Sequence, residues 1–163
     1  MKKIGVYPGT FDPVTYGHID IIKRSLKIFD KVILAVAPNP QKAPLFNIVE
    51  RVSMVQEATR GLKNLQIEQF DGLLVDFAKR QGGIAVIRGL RAVSDFEYEL
   101  QIALMNRKLD AEVETVFMMP SQEYIYLTSS LVKAVASYGA EIKDFVPDFV
   151  LKKLKEKLWK GHP

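Results

Sequence analysis

The chain has 163 residues, no cysteine and a formal net charge of +4. Disulfide bonds and thiolate metal sites are therefore excluded, and the length suffices for one domain with a substantial core, which we expect to span residues 1–163. No apolar run reaches the length of a membrane span, and the N-terminal Met1-Lys2-Lys3 leads into a strand pattern without a signal-peptide core. We expect a cytoplasmic protein with no membrane partner.

Short segments rich in Val and Ile alternate with helical patterns along the chain. The predicted strands are Lys3–Tyr7, Lys31–Ala37, Leu65–Gln69, Ile84–Arg88 and Glu114–Met118. The predicted helices are Gly17–Ile28, Ile48–Thr59, Leu73–Gln81, Ala92–Leu109, Ser129–Ser137 and Asp148–Lys160. This alternation indicates βαβ units. It predicts an α/β fold, a single Rossmann-like domain with a doubly wound, parallel five-stranded sheet and helices on both faces.

The positive charge is concentrated in the last predicted helix, at about residues 148–160. From Asp148 to the end, the chain has five lysines and two acidic residues, a net charge of +3. The other face of this amphipathic helix is apolar and carries Phe149, Val150, Leu154 and Leu158. A solvated lysine face explains this pattern better than a nucleic-acid surface does, so we expect no nucleic-acid partner.

The segment between the first predicted strand and helix is the most informative part of the chain. It reads Thr10-Phe11-Asp12-Pro13-Val14-Thr15-Tyr16-Gly17-His18. A strand, a tight turn and a helix N-terminus present free backbone N–H groups and the positive end of the helix dipole to a phosphate. The Thr10 hydroxyl and the His18 imidazole would complete a nucleotide polyphosphate site. Gly9 and Gly17 would allow close approach to it.

A purely structural interpretation of the same segment remains open. Thr15 would then cap the helix, Asp12-Pro13 would form an ordinary turn, and His18 would be a helix-end residue without a chemical role.

The loops that follow the five predicted strands carry side chains suited to anions. In a parallel sheet, ligands bind beyond the carboxyl ends of the strands, so these loops should converge on one crevice. The hydroxyl, imidazole and cationic side chains in these loops are Thr10, His18, Lys42, Arg88, Arg91, Ser129 and Ser130. Lys42 is the only lysine that we place near these motifs.

Two alternatives to anion binding remain open in these loops. Arg88 and Arg91 would form structural ion pairs with Asp95 or Glu99. Ser129 or Ser130 would act as a helix N-cap, a role compatible with phosphate binding because both use the same free N–H groups.

The residue inventory argues against several hydrolytic chemistries. His18 and His162 are the only histidines, and no G-x-S-x-G motif accompanies them, so a Ser-His-Asp triad has little support. Asp12, Asp71 and Asp95 are candidates for two-carboxylate hydrolysis, but each occupies a position typical of turns or caps. Zinc ligands are lacking. Nucleotidyl transfer, in contrast, needs little more than cations and donors that align two anions.

Three separated motifs follow one another along the chain. The first is Gly9–Pro13 with Thr15–His18. The second is Ile87–Arg91 with Asp95–Glu99, and the third is Thr128–Val132. In this order they resemble the motifs of bacterial phosphopantetheine adenylyltransferases in the nucleotidyltransferase superfamily. The resemblance covers nearly the whole chain. It implies transfer of the adenylyl group of ATP to 4′-phosphopantetheine, giving dephospho-coenzyme A and pyrophosphate, in coenzyme A biosynthesis.

The resemblance also implies roles for individual residues. The implied catalytic residues are His18, Lys42, Thr10 and Arg91. The implied ATP-binding residues are Thr10, Phe11, His18, Gly89, Leu90, Arg91, Glu99, Tyr124, Ile125, Tyr126, Leu127, Thr128, Ser129 and Ser130. The implied phosphopantetheine-binding residues are Thr10, Lys42, Leu74 and Arg88. Mg²⁺ would accompany ATP, held by phosphates and water with no dedicated protein metal site, and the enzyme would be a homohexamer.

Rival functions remain, and the nearest is a sister nucleotidyltransferase with nicotinate mononucleotide or glycerol phosphate as acceptor. The segment from Arg88 to Glu99 argues against it. A cytidylyltransferase of this superfamily would carry an arginine-threonine-x-glycine-isoleucine-serine string where this chain has Tyr126-Leu127-Thr128-Ser129-Ser130. A non-catalytic nucleotide sensor would not need Thr10, His18 and Lys42 together.

The predicted helix Ala92–Leu109 is apolar on two sides. Phe96, Leu100, Ala103 and Leu104 mark one face, and Tyr98, Ile102, Met105 and Leu109 mark nearly the opposite face. A helix that is apolar all round must be buried, so we expect its second face to pack against another subunit. The alternative is burial under the C-terminal helix.

Overall fold

The computed structural model describes residues 2–39, 41, 43–91 and 93–159. Its strands are β1 (Ile4–Gly9), β2 (Lys31–Val36), β3 (Leu65–Gln69), β4 (Ala85–Gly89) and β5 (Glu114–Met118). Its α-helices are α1 (Tyr16–Ser25), α2 (Ile48–Ala58), α3 (Leu74–Arg80), α4 (Val93–Leu109), α5 (Ser129–Ser137) and α6 (Asp148–Leu158). A short 3₁₀ turn, Gln122–Tyr124, was not predicted.

The five strands form one sheet in the order β3-β2-β1-β4-β5, and every neighbouring pair is parallel. This confirms the predicted parallel α/β sheet. The chain moves outward from β1 to β3, then returns to the other side of β1 with β4. Such a reversal of strand order creates a crevice at the carboxyl ends of the two central strands, here β1 and β4.

Helices cover both faces of the sheet, as predicted. The larger core cluster joins one face to apolar residues of α1, α2, α5 and α6, including Ile22, Met54, Val132 and Leu154. The smaller cluster joins the other face to α3 through Phe77 and Ala78. The central strands are therefore buried on both sides, which explains their continuous apolar character.

Strand β1 extends two residues beyond its predicted end at Tyr7. Pro8 and Gly9 continue the pairing with β2, opposite Ala35 and Val36. Pairing of β1 with β4 is found only at Gly5 and Val6. The two central strands therefore part beyond Val6, and the gap opens toward the segment that contains Thr10 and His18.

The predicted helix starting at Gly17 begins one residue earlier, and it ends at Ser25 instead of Ile28. Leu26 caps its C-terminus, and the next residues form turns. The last helix ends at Leu158, and Lys160, its predicted end, lies outside the described residues. None of the helices in the described ranges has the length and apolar character needed to cross a membrane.

Helix α4 neighbours α3 and β5, and apolar residues on both of its predicted faces stay exposed. Leu104, Met105 and Leu109 are each more than half exposed. Helix α6 packs instead on α5, and the Trp159 indole donates to the Ala136 carbonyl. Burial of α4 under the C-terminal helix, the alternative from the sequence, is therefore wrong.

Candidate active site

A cavity of about 680 Å³ opens at the carboxyl ends of β1 and β4. Its wall includes residues from the loops after all five strands and from the start of α5, the convergence that the sequence predicts. The predicted site residues on this wall are Thr10, Phe11, His18, Leu74, Arg88, Gly89, Arg91, Glu99, Tyr124, Leu127, Thr128, Ser129 and Ser130. Leu90, Ile125 and Tyr126 are not on the wall. Lys42 lies outside the described residues.

The imidazole of His18 is fixed by the N-terminus of α1. The Thr15 backbone N–H donates to His18 Nδ1 at 3.0 Å, while the His18 backbone N–H donates to the Thr15 hydroxyl oxygen at 3.4 Å. This reciprocal arrangement is a capping box in which histidine takes the place usually held by Glu or Gln. Thr15 is therefore the N-cap, as the structural interpretation proposed. The capping role nevertheless uses only one of the two ring nitrogens.

The surroundings of His18 keep its ring neutral. Burial, and secondarily the nearby Arg91 guanidinium, lower the pKa of His18 from 6.5 to about 4. Because Nδ1 accepts a hydrogen bond, the proton of the neutral ring is on Nε2. The imidazole, which lines the cavity, therefore serves as a hydrogen-bond donor.

Thr10 is oriented by Asn39 from the loop after β2. The Asn39 side-chain amide donates to Thr10 Oγ1 at 3.0 Å. Because the oxygen accepts this bond, the hydroxyl proton is free to donate to a ligand. Asn39 was not among the predicted site residues, although it lies in the loop that follows the second strand.

The aromatic ring of Phe11 packs against the imidazole of His18. This ring is buried, and its centroid lies 5.0 Å from that of His18 and 5.6 Å from that of Tyr7. A Cβ on Gly9 would lie 2.8 Å from this ring, so glycine is needed there for close packing. The whole Phe11 residue is 1% exposed, so very little of its surface is open to a nucleotide.

Both predicted arginines form the ion pairs that the sequence left open. Arg88 holds Glu99 with two hydrogen bonds of 2.6 Å, from Nε and from Nη2. Arg91 Nε lies 3.5 Å from an Asp95 carboxylate oxygen. The bidentate pair uses two of the five N–H donors of Arg88 and leaves the others for an anion.

Tyr7 is a further polar residue on the cavity wall. Burial raises the pKa of Tyr7 to about 12, against the opposing influence of the Arg88 and Arg91 cations. The phenol therefore stays protonated at neutral pH.

A lysine that the sequence analysis did not place near the motifs lies at the cavity. Lys133 of α5 forms an ion pair with Asp12, which is buried. Asp12 also accepts the backbone N–H groups of Leu45 and Phe46, at 3.0 and 2.9 Å. Asp12 thus fixes the loop after β2 instead of acting as one of two hydrolytic carboxylates. Lys133 lies one helical turn after Ser129, a spacing that would have indicated the same helix face.

The last loop is anchored to the first motif at two points. Ser121 donates its backbone N–H and its hydroxyl to Asp20 of α1, both at 2.8 Å. The Ser129 hydroxyl donates to the Pro13 carbonyl at 2.7 Å. The N-cap of α5 is Thr128, whose hydroxyl oxygen accepts the Leu131 N–H, so the proposed capping by Ser129 or Ser130 is wrong.

Comparisons with known proteins agree with this geometry. Residues 6–135 match the family model described as cytidylyltransferase-like. A phosphopantetheine adenylyltransferase of Caldanaerobacter subterraneus subsp. tengcongensis is 54% identical over 98% of this chain and 99% of its own length. One from Thermodesulfovibrio yellowstonii is 55% identical over 98% of this chain and 100% of its own length.

The fold also has solved counterparts. A candidate nicotinate-nucleotide adenylyltransferase from Vibrio parahaemolyticus has a TM-score of 0.72 at 19% identity, covering 99% of this chain and 98% of its own. At that identity, the likeness supports the fold alone. The full-length sequence matches, together with a polar cavity at the switch point of the sheet, lead to one conclusion: the chain belongs to the phosphopantetheine adenylyltransferase family.

Proposed function

We propose that this protein transfers the adenylyl group of ATP to the phosphate of 4′-phosphopantetheine, giving dephospho-coenzyme A and pyrophosphate in coenzyme A biosynthesis. The observation that carries the proposal is the identity of more than half of the residues, over nearly full length, with proteins named for this activity. The cavity supports it, because its wall supplies hydrogen-bond donors and cations at the ends of two central strands.

The chemistry follows from the charges of the two substrates. An oxygen of the phosphopantetheine phosphate attacks the α-phosphorus of ATP, and the bond from that phosphorus to the bridging oxygen of the β-phosphate breaks. A phosphate with a second pKa of about 6 is mostly dianionic at neutral pH, so the attack needs no general base. The protein must align two anions and stabilise the charge that develops between them.

The residues at the first motif are suited to the α-phosphate. The neutral His18 would donate from Nε2 to an α-phosphate oxygen, and the Thr10 hydroxyl would donate to the reacting phosphates between the two substrates. Arg91, close enough to His18 to lower its pKa, would add positive charge. These donors are held in place before ligand binding by Thr15 and Asn39.

The remaining assignments divide the cavity between the substrates. Lys42 and Arg88 would bind the acceptor phosphate, and Leu74 would contact the pantetheine arm. The ATP side would include Phe11, residues 89–91, Glu99 and residues 124–130.

Magnesium is part of the proposal as an ion carried by ATP. Of the acidic residues on the cavity wall, Asp12 is held by Lys133 and two backbone N–H groups, and Glu99 is held by Arg88. These carboxylates are engaged, so the ion would be ligated by phosphate oxygens and water, as Mg²⁺ commonly is in nucleotide sites. It would supply charge neutralisation to the leaving pyrophosphate.

A homohexamer in the cytoplasm, where ATP is available, completes the proposal. The exposed apolar residues on α4 support subunit association, because a contiguous apolar helix face is costly in water. Helix α4 follows the loop with Arg88 and Arg91 and carries Glu99, so subunit contacts at α4 would also brace these arginines.

An acceptor panel tests the proposed function. Purified protein with ATP and Mg²⁺ is given 4′-phosphopantetheine, nicotinate mononucleotide, glycerol phosphate or no acceptor, and pyrophosphate is measured. We expect pyrophosphate to be released only in the sample that contains 4′-phosphopantetheine. Release with another acceptor would favour a sister transferase, and nucleotide binding without release would favour a sensor.

A further inference from the structure

Arg51 is a buried cation in the middle of the apolar face of α2. It is 1% exposed and shares this face with Met54 and Val55. In sequence it follows Ile48 by three residues and precedes Val55 by four, a core spacing where a charge is unexpected. Burying a charge is costly unless the group is fully hydrogen-bonded, so its partners explain why it is there.

The partners of Arg51 are backbone carbonyl oxygens. Nε donates to Phe46 at 3.0 Å, and Nη2 donates to Pro38 at 3.0 Å. Nη1 donates to Thr10 at 2.7 Å and to Ala37 at 2.6 Å. Four of the five guanidinium N–H groups are thus used. Burial lowers the pKa of Arg51, and the nearby Asp12 carboxylate opposes that change.

These four carbonyls belong to the two segments that carry the proposed reaction. Ala37 and Pro38 begin the loop after β2, and Phe46 ends it, so the guanidinium holds both ends of the segment that contains Lys42 in sequence. The fourth carbonyl is that of Thr10 itself. Asn39, which orients the Thr10 hydroxyl, follows Pro38 directly.

Asp12 holds the same loop through backbone N–H groups, whereas Arg51 holds it through carbonyl oxygens. Asp12 accepts the N–H groups of Leu45 and Phe46, while Arg51 donates to the Phe46 carbonyl. The geometry requires a planar fork, because a lysine ammonium has three donors that spread from one point and cannot reach four carbonyls around a plane.

We propose that Arg51 is a positioning residue for adenylyl transfer, which fixes the Thr10 carbonyl and both ends of the Lys42 loop relative to each other. This inference rests on the proposed function. Small displacements of groups that align two substrates reduce turnover strongly, so loss of the fork should lower kcat without abolishing the fold.

The variant Arg51→Lys keeps the charge and removes the fork. Its matched control is Met54→Ala, which creates a cavity one turn along the same buried face and leaves the four carbonyl contacts of Arg51 in place. Steady-state kinetics are measured for each substrate, at a temperature where both variants are folded. We expect Arg51→Lys to lower kcat by about tenfold or more and to raise the KM for phosphopantetheine, whereas Met54→Ala keeps both within about twofold.

Amide hydrogen exchange supplies a readout that does not depend on turnover. In Arg51→Lys, the amides of Leu45 and Phe46 should exchange at least about tenfold faster, while those of β2 keep the exchange rates of the wild type. Kinetic constants and exchange rates that match those of Met54→Ala would overturn the assignment.

If Arg51→Lys does not fold, the proposal is tested on the wild-type enzyme instead. Exchange of the Arg51 Nε–H is followed by nitrogen-15 NMR, and phosphopantetheine should slow it at least about tenfold; an unchanged rate would overturn the proposal. A wild-type enzyme without phosphopantetheine-dependent turnover would overturn the proposed function. Wild-type turnover with an unaffected Arg51→Lys variant would overturn the Arg51 assignment alone.

Discussion

The backbone N–H of Thr15 donates to Nδ1 of His18 at 3.0 Å, and this contact determines which nitrogen of the ring carries the proton. One side of the imidazole completes the cap of α1, and the ring also lines the cavity. The structural and the chemical interpretations of His18 are therefore compatible.

Replacing His18 should separate binding from catalysis. We expect His18→Ala to keep ATP affinity within about tenfold and to lower turnover by about 10²-fold or more, the usual effect of losing a preorganised donor. Calorimetric titration and initial rates measure the two effects. Thr15→Ala is the control, because it weakens the cap but keeps the imidazole, and it should cost about 1 kcal/mol of stability with a much smaller loss of turnover. Wild-type rates in His18→Ala would remove the assigned role.

The lowered pKa of His18 predicts a stability change with pH. The unfolded chain binds a proton with a pKa near 6.5, and the folded protein binds it only near pH 4. Between these values the unfolded state holds more protons, so stability falls as pH falls, by at most about 1.4 kcal/mol per pH unit. Urea unfolding at pH 4.5 and 7 should show a larger loss for the wild type than for His18→Asn. Equal losses would contradict a His18 imidazole that stays neutral in the folded protein.

Lys42 is predicted to act on the acceptor. We expect Lys42→Met to impair use of phosphopantetheine far more than affinity for ATP, because the lost cation would face the incoming phosphate. Titration of each substrate into wild type and variant measures this difference. The exposed Lys63 precedes the N-terminal end of β3, at the edge of the sheet opposite the cavity, so Lys63→Met is the control with the same loss of charge. Unchanged phosphopantetheine binding and turnover would remove Lys42 from the site.

The exposed face of α4 predicts self-association. Light scattering of the dilute purified protein should give a mass well above 18.4 kDa, and Met105→Glu should reduce it by placing a charge on the apolar face expected to meet another subunit. Glu97→Lys, an exposed change on the same helix, controls for an altered charge. A monomeric wild type at micromolar concentration would contradict the proposed hexamer.

The sheet was predictable because most of its strands are short runs of apolar residues. Lys31–Val36 and Glu114–Met118 are examples in which the pattern alone came within a residue of the observed ends. The end of β1 was not predictable from Pro8 and Gly9, since these residues normally indicate a turn. Their pairing with Ala35 and Val36 is a property of the assembled sheet.

The cavity was predictable from strand ends, whereas its supporting contacts were not. Thr10 directly follows β1, Arg88 lies at the end of β4 and His18 lies in the first turn of α1, so parallel topology brings them to the same edge of the sheet. Lys133 meets Asp12 across 121 positions, and Arg51 meets Thr10 across 41, both through helix packing that no local pattern specifies. The sequence held one indication of the role of Arg51, which is that a charged residue occupies the apolar face of α2.

The fate of the α-phosphorus tests the proposed reaction most directly. The wild-type enzyme is incubated with 4′-phosphopantetheine, Mg²⁺ and ATP that carries radioactive phosphorus at either the α- or the γ-position. The products are separated, their radioactivity is counted and their masses are determined by mass spectrometry. We predict that the α label enters a product with the mass of dephospho-coenzyme A and that the γ label leaves as pyrophosphate, both only when the acceptor is present. Recovery of the α label in ADP, or equal ATP consumption without the acceptor, would contradict adenylyl transfer.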